Sequence, residues 1–435
     1  MSVNSDYARP QEPRSSASSL QFLQVFAGIG FLSFGGPAAQ IALMHRKLVH
    51  ETKWLDEKTY LNALGFCMLL PGPEAMQLAT YAGWRLRGYA GGLAAGLLFI
   101  LPGAAVIFAL AAIYARFGEM SVVQNLFLGI KAAVLVVVFE ALLRLSKRAL
   151  SGTDQWLISG LAFIGIFFLS LPFPLIVFSA ALYGALFGYR KATTSDAPDL
   201  NKISHWRTFR TVVLWLVIWL APLALISAFA GSPILGEIGV FFSKLAVVTF
   251  GGAYAVLAYM AQDVVTGHGW LTAGEMMDGL GMAETTPGPL ILVTQFVGFL
   301  AAERAGGMAL GFLGGVVALW ATFAPCFLWI FAGAPYIDWI SSQPRLKAAL
   351  SAIIAAVVGV VLNLSVWFGL HVLFADVSQV QKGWLTLWVP DLSSFDWRVL
   401  VLAIASGVAL LRFHVPLLYV LLGSALGGWG LSVLV

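Results

Sequence analysis

The sequence predicts an all-α integral membrane protein built from two homologous halves whose helices are broken at matched positions. The chain has 435 residues, of which 60% are hydrophobic and only 11% are charged, and its mean hydropathy is +0.87. Soluble domains are roughly half apolar. Apolar runs long enough to cross about 30 Å of hydrocarbon recur along the whole chain, so the spans fill it and no attached soluble domain is expected.

The halves are recognised because one stretch occurs twice. A shift of 216 positions superimposes residues 34–73 on residues 250–289 without a gap, and 14 of the 40 positions are identical. The shared residues include Phe-Gly-Gly at 34–36 and 250–252, Trp-Leu at 54–55 and 270–271, and Pro-Gly-Pro at 71–73 and 287–289. The chain is therefore a duplicated unit, and its functional site is expected where the two copies meet.

The breaks follow from the chemistry of glycine and proline. Proline fixes φ and removes a backbone donor, and glycine relaxes the chain, so a helix cannot continue through Gly-Gly-Pro at 35–37 or Pro-Gly-Pro at 71–73. Each of these segments is predicted to form a helix, a break and a second short helix. The same applies to their mates in the second half.

Taken in order, the chain divides into a polar tail (1–19), a first repeat (20–189), a basic linker (190–210) and a second repeat (211–435). The tail has no apolar h-region, which predicts that no signal peptide is removed. About ten to thirteen transmembrane or re-entrant segments are expected, depending on whether the broken ones cross or turn back. They lie at 20–44, 59–84, 88–115, 122–145, 156–171, 173–189, 212–230, 238–261, 275–302, 306–333, 346–370, 398–411 and 416–435.

Charge indicates how the two copies are oriented. The loop at 45–58 has four Lys or Arg residues, whereas its mate at 261–274 has none. The linker is also basic, which predicts that it is cytoplasmic. Equivalent loops on opposite faces indicate inverted repeats related by a two-fold axis in the membrane plane. Arg345 and Lys347 are the exception, because they keep positive charge in the mate of the Lys131 region.

The broken segments predict an anion site. Irregular backbone persists at membrane depth only when it is buried or lines a polar cavity. Each half-helix that begins after a break presents free N–H groups and a positive dipole end, which favour an anion. The alternative is that these residues serve only kinking and close packing. The predicted substrate-binding residues are Ser33, Phe34, Gly35, Gly36, Pro71, Gly72, Pro73, Gln77, Thr249, Phe250, Gly251, Gly252, Thr285, Thr286, Pro287, Gly288 and Pro289.

Five charged residues are candidates for coupling or charge attraction. Glu74 and Glu284 lie beside the two Pro-Gly-Pro breaks, where a carboxylate repels an anion when ionised and admits it when protonated. Glu74 has a second interpretation, as an acidic residue that stabilises a first helical turn. Lys131, Lys347 and Arg85 either attract the anion or extend to the membrane interface.

Other classes of site are not indicated. Cys67 and Cys326 have apolar neighbours and no metal-ligand spacing, and the six histidines form no ligand-spaced cluster, so no metal site is predicted. The sequence has no HExxH, GxSxG or phosphate-loop pattern, which argues against an enzyme and against a cofactor. A nucleic-acid partner is not expected either.

The motifs in combination resemble the chromate ion transporter family. They are Phe-Leu-Ser-Phe-Gly-Gly-Pro at 31–37, Leu-Pro-Gly-Pro-Glu at 70–74 with Gln77, Thr-Phe-Gly-Gly-Ala-Tyr at 249–254 and Thr-Pro-Gly-Pro at 286–289. The resemblance covers nearly the whole chain. The second copy departs from the pattern at Leu290, which stands where the first copy has Glu74.

The resemblance implies a multi-pass protein of the bacterial inner membrane that exports chromate from the cytoplasm and so confers resistance. Protons or the membrane potential would drive this export, and sulfate would be a competitor. Two alternatives stay open, namely a transporter of sulfate or another oxyanion with the same architecture, and a passive anion channel. A homodimer is the assembly to test.

Overall fold

The computed structural model describes residues 18–188, 205–229, 231–250 and 253–434. Residues 1–17 of the predicted tail (1–19), residues 190–204 of the predicted linker (190–210) and the glycines Gly251 and Gly252 lie outside these ranges. Within them the protein is almost entirely helical, which confirms the predicted all-α membrane class. Five stretches are long and apolar enough to cross a membrane, at Glu74–Phe117, Ser121–Ala149, His205–Phe229, Leu290–Tyr336 and Pro344–Leu373.

Within residues 18–188, the first half contains seven α-helices, with a π-helical segment at Arg46–Glu51 between the second and the third. The α-helices are α1 (Ser19–Phe31), α2 (Gly36–His45), α3 (Glu57–Cys67), α4 (Glu74–Phe117), α5 (Ser121–Ala149), α6 (Thr153–Phe167) and α7 (Phe173–Phe187).

The second half repeats the order of broken helices, with a π-helical segment at Asp263–Gly267. Its elements are α8 (His205–Phe229), α9 (Pro233–Val248), α10 (Ala253–Gln262), α11 (Ala273–Thr285), α12 (Val293–Gly333), α13 (Ile337–Ser342), α14 (Pro344–Leu373), β1 (Val377–Lys382), β2 (Leu385–Pro390), α15 (Trp397–Gly407) and α16 (Leu417–Leu434). Single turns of 3₁₀-helix occur at Leu290–Leu292, Ala334–Tyr336 and Leu392–Ser394, and a π-helical turn at Val408–Arg412 follows α15.

The strands β1 and β2 form an antiparallel hairpin that the sequence analysis did not foresee. Most of β1 is exposed, so its sequence lacks the alternating apolar pattern by which strands are recognised. The hairpin is held on the α6–α7 turn. There the backbone N–H of Thr386 donates to the carbonyl of Phe168 at 2.7 Å, and the hydroxyls of Thr386 and Ser170 lie 2.9 Å apart.

The broken segments of the first half turn back instead of crossing. The ring of Trp54, in the loop after α2, stacks on Phe22 and Phe26 at 6.2 and 6.4 Å, so α2 returns to the end at which α1 begins. Helix α4 bends sharply at Arg87 and Gly88, where the helical dihedral angles are lost. The Arg87 guanidinium lies 5.0 Å from the Phe22 ring centre. The first part of α4 therefore also returns to this end, which we call the basic end because the loop at 45–58 lies there.

The broken segments of the second half also turn back, at the opposite end of the helix bundle. Trp270 packs against Phe241 of α9 at 5.4 Å, and Arg304, at the end of the first part of α12, forms an ion pair with Glu275 of α11. A cavity lined by Pro172, Asp263 and Gln379 of β1 places this second loop beside the β-hairpin. We call this the hairpin end.

Helices approach each other closely through small residues, as membrane helices do because lipid offers no hydrophobic drive for their association. A Cβ atom added to Gly129 of α5 would lie 1.7 Å from the carbonyl oxygen of Ser424 in α16. One added to Gly359 of α14 would lie 2.1 Å from the carbonyl of Ser159 in α6. These contacts position α5 and α14 around the broken helices.

We expect Gly129→Val to lower the apparent melting temperature of the detergent-purified protein, because the side chain would separate α5 from α16. Overpacking of this kind costs about 1–3 kcal/mol. The control is Gly160→Ala, where nothing lies within 4 Å of the added Cβ. Equal melting temperatures for the two variants would contradict the close helix contact.

Candidate functional site

The breaks of the two halves bind each other through a reciprocal pair of backbone hydrogen bonds. Gly72 donates its N–H to the carbonyl of Thr249 at 2.8 Å, and Gly288 donates its N–H to the carbonyl of Ser33 at 2.9 Å. The two bonds are equivalent under the 216-residue shift. The acceptor Ser33 corresponds to the acceptor Thr249, and the donor Gly72 corresponds to the donor Gly288. The Pro-Gly-Pro break of each half thus contacts the Phe-Gly-Gly break of the other.

Glycine is required at these breaks by the backbone conformation. Gly35, Gly36, Gly72 and Gly288 have φ angles of 83°, 76°, 116° and 90°, a region that residues with a side chain rarely adopt. Helix α2 begins at Gly36 and α4 at Glu74, each directly after a break. The first-turn N–H groups of such helices have no acceptor within the helix.

The predicted hydroxyl ligands donate to backbone carbonyls in this conformation. Ser33 Oγ donates to Ile29 at 2.5 Å, and Thr249 Oγ1 donates to the equivalent carbonyl, that of Leu245, at 2.5 Å. Thr285 and Thr286 donate in the same manner to carbonyls three residues earlier. These hydroxyls therefore close the helix ends that precede the breaks.

Three buried glutamines donate to backbone carbonyls, two of them within the breaks, and only Gln77 was predicted. Its Nε2 donates to the Pro71 carbonyl at 2.7 Å, within one break. Gln40 Nε2 donates to the Gly288 carbonyl at 2.7 Å, and Gln295 Nε2 donates to the Ala104 carbonyl at 2.8 Å. A polar amide inside an apolar broken segment was the signal that could have identified Gln40 and Gln295.

A cavity of about 390 Å³ lies where the two copies meet. Its lining contains pairs of residues that the 216-residue shift relates, such as Ala38 with Tyr254 and Met68 with Glu284. Of the predicted residues, Gly35, Gly36, Glu74 and Glu284 line it. Pro71, Gly72, Pro73, Gln77, Thr249, Thr285, Thr286, Pro287, Gly288 and Pro289 lie outside its lining, as do Ser33, Phe34 and Phe250.

The cavity also has charged residues that the sequence analysis did not select. Arg144 of α5 forms an ion pair with Glu140, one helical turn earlier, and Arg148 lies with its guanidinium 3.2 Å from the sulfur of Met68. Tyr254 donates its hydroxyl to Glu284 at 2.9 Å. The cavity thus combines helix N-termini and two arginines, which attract an anion, with carboxylates, which repel it when ionised.

The remaining predicted cations lie elsewhere. Lys131 forms an ion pair of 3.2 Å with Asp278, which also accepts a hydrogen bond of 2.7 Å from Tyr114. This cluster lines a second cavity towards the hairpin end. Lys347 and Arg85 are exposed and do not line either cavity. The repeated lysines Lys131 and Lys347 are therefore not brought together.

The family described as Chromate transporter matches residues 20–185 and 236–429. The chain is 31% identical over 346 residues to the "Chromate transport protein" of Cupriavidus metallidurans, which covers 78% of this chain and 80% of that protein. It is 30% identical over 349 residues to the "Probable chromate transport protein" of Synechococcus elongatus, with 80% and 84% covered. The "Uncharacterized transporter YwrA" of Bacillus subtilis is 25% identical over 171 residues, 96% of its own length but 39% of this chain. No solved structure matches.

We expect Lys131→Met to destabilise the protein strongly, because Asp278 is only 4% exposed and would lose its cation. Removing one partner of a buried ion pair costs about 3–5 kcal/mol, whereas replacing both partners costs far less. The measurement is the melting temperature of the purified protein. It should fall for Lys131→Met and recover in the double variant Lys131→Met, Asp278→Asn.

The control is Lys347→Met, which alters the exposed lysine at the equivalent repeat position and should leave the melting temperature unchanged. A Lys131→Met protein as stable as the parent would mean that the Lys131–Asp278 pair does not support the fold.

Proposed function

The chain belongs to the chromate transporter family, and from that membership we propose that it is a secondary transporter that exports chromate from the cytoplasm across the bacterial inner membrane. Such export would confer chromate resistance. The related proteins named as chromate transport proteins support the cargo. The structural observation that carries the proposal is the cavity at the meeting point of the two copies, beside the interlocked breaks.

The chemistry of this cavity suits a tetrahedral dianion. Backbone N–H groups at the starts of α2 and α4, together with Arg144 and Arg148, can replace the hydration shell of an oxyanion. Binding of this kind recognises charge and shape and does not select chromium. Sulfate, which has the same shape and charge, is therefore the expected competitor, and a sulfate or other oxyanion transporter is the alternative function.

An inverted arrangement of the repeats supports transport by alternating access. The loop after α2 lies at the basic end and its mate lies at the hairpin end, which supports an inverted arrangement of the two copies. The positive-inside bias supports a cytoplasmic location for the basic end. Rocking of one repeat against the other about the interlocked breaks would then open the cavity to each side in turn.

Coupling to protons would act through the two cavity carboxylates. Glu74 and Glu284 line the same cavity, so both ionised groups would repel a dianion that the helix N-termini attract. Protonation of one of them would admit the dianion from the cytoplasm, and the complex would keep one negative charge, which the membrane potential, negative inside, would drive outward. Release of that proton together with the anion would then empty the site. A passive channel would need no such coupling.

We expect inside-out vesicles containing the protein to accumulate chromate when they are energised with NADH. The accumulation should be lost on adding a protonophore and reduced by excess sulfate. Glu74→Gln should abolish it, because an amide cannot release a proton. Asp154→Asn, which alters an exposed carboxylate at the start of α6, is the matched control and should accumulate normally.

Accumulation that survives the protonophore would contradict proton coupling, and saturable flux without any accumulation would indicate a passive channel. If no chromate enters above empty vesicles, the cargo is wrong, and labelled sulfate is the next substrate to measure.

We also expect the two halves to be inactive when expressed separately and active when expressed together from a chain cut within residues 190–204. Gly72 and Gly288 each need an acceptor from the other half, so neither half can build the site alone. The half-length relative in Bacillus subtilis supports the half as a folding unit. Chromate accumulation in vesicles is the readout, and full activity of the first half alone would exclude a shared site.

A further inference from the structure

Three side chains at the basic end bring their potential metal-ligand atoms together outside the transport cavity. His45 Nε2 lies 2.8 Å from Glu57 Oε2, and the rings of His45 and His50 meet edge to face with their centres 4.8 Å apart. The ligand atoms of all three residues lie within 4.8 Å of one another. The structure thereby corrects the expectation that the histidines form no cluster.

The π-helical segment Arg46–Glu51 explains why the sequence concealed this cluster. Two residues five apart lie on different faces of an α-helix, because the helix turns about 100° per residue. A π-helix has i→i+5 hydrogen bonds, which bring such residues onto one face, and these segments are frequent at functional sites. Here the segment brings His50 beside His45, and Glu57 at the start of α3 completes the set.

The duplicated architecture does not require these three side chains. The second copy has its own π-helical segment at Asp263–Gly267, but Ala261, Thr266 and Ala273 stand at the three equivalent positions. The π-geometry therefore belongs to both repeats, whereas the ligand set belongs to the first repeat alone. The second copy forms the same π-helical segment without histidines at these positions, so the structure of the loop does not require them.

The neighbouring carboxylates are already engaged. Glu51 accepts a hydrogen bond of 2.6 Å from Lys47, which lowers the pKa of the Glu51 carboxyl. Asp56 caps α3 by accepting from the N–H of Thr59 at 2.8 Å. Glu57 is thus the acidic side chain of this loop that faces the histidines.

We propose that His45, His50 and Glu57 bind a divalent transition-metal ion of the zinc type, with water at the remaining position. Two imidazole nitrogens and one carboxylate oxygen are a common donor set for zinc with an open fourth position. Tetrahedral zinc holds its ligand atoms about 3.4 Å apart, so the side chains need to close by little more than an ångström. His50 and Glu57 are exposed and can make this adjustment.

The ion would join the outer ends of two half-helices that lead to the breaks. Helix α2 runs from Gly36 at the cavity to His45, and α3 runs from Glu57 towards the first Pro-Gly-Pro break. A metal that ties these outer ends together restrains both breaks of the first half. Bound metal should therefore slow transport from the basic end. This effect on transport rests on the proposed function, whereas metal binding does not depend on it.

The binding test uses the purified full-length protein in detergent titrated with CoCl₂ and, separately, with ZnCl₂ by equilibrium dialysis. We expect one ion per chain and the visible absorption bands of four-coordinate cobalt. His50→Ala, His45→Ala and Glu57→Gln should each weaken binding by about tenfold or more. The control His268→Ala removes the histidine of the mate loop and should bind normally.

His50 is the decisive position, because it is exposed and its loss should not disturb folding. Binding unchanged in His50→Ala, or no uptake of cobalt or zinc by the parent, would overturn the proposal and leave His45 and Glu57 as an ion pair only.

The transport test adds ZnCl₂ to the inside-out vesicles, in which the basic end faces the medium. Zinc should slow chromate uptake severalfold in the parent and not in His50→Ala. If zinc binds but does not slow uptake, the inference that bound metal restrains the breaks is wrong. If the parent takes up no chromate, the proposed function fails, and the cobalt and zinc titrations still decide whether the metal site exists.

Discussion

The structure depends on how irregular backbone is satisfied inside a membrane protein. An unpaired amide in hydrocarbon costs several kcal/mol, so a broken helix is stable only when another part of the chain supplies partners. Here the partner is the other copy of the same unit, since Gly72 binds Thr249 and Gly288 binds Ser33. The breaks therefore stabilise each other, and the proposed site would need both halves.

This arrangement also gives the breaks a dynamic role. Each reciprocal bond joins two short loops and no continuous helix, so the rotation that the proposed alternating access requires would not have to unwind a membrane span. The buried amides of Gln40 and Gln77 limit that freedom, because each holds a carbonyl of a Pro-Gly-Pro break. Rigid half-helices around a compact hinge are what alternating access requires.

Local chemistry predicted the parts of the site but not their assembly. The sequence predicted the breaks at Gly35–Gly36 and Pro71–Pro73, because glycine and proline determine backbone conformation within a few residues. It did not predict that Arg144 and Arg148 reach the cavity or that Lys131 pairs with Asp278, because those contacts join distant elements. The His45–His50 contact was missed for a local reason, the π-helical turn that no simple periodicity reveals.

The two copies share the positions of their breaks but differ in charge, and under the proposed export this difference would provide a direction. Glu74, Arg144 and Arg148 of the first copy correspond to Leu290, Val360 and Leu364 of the second, while Glu284 corresponds to Met68. A perfectly symmetric site would offer an anion the same environment from both sides. Because the backbone donors recur in both copies and the charges do not, the proposed anion site would offer similar donors in either orientation of the repeats. Under the proposed export, the charged side chains would then determine the side from which the anion enters and leaves more readily.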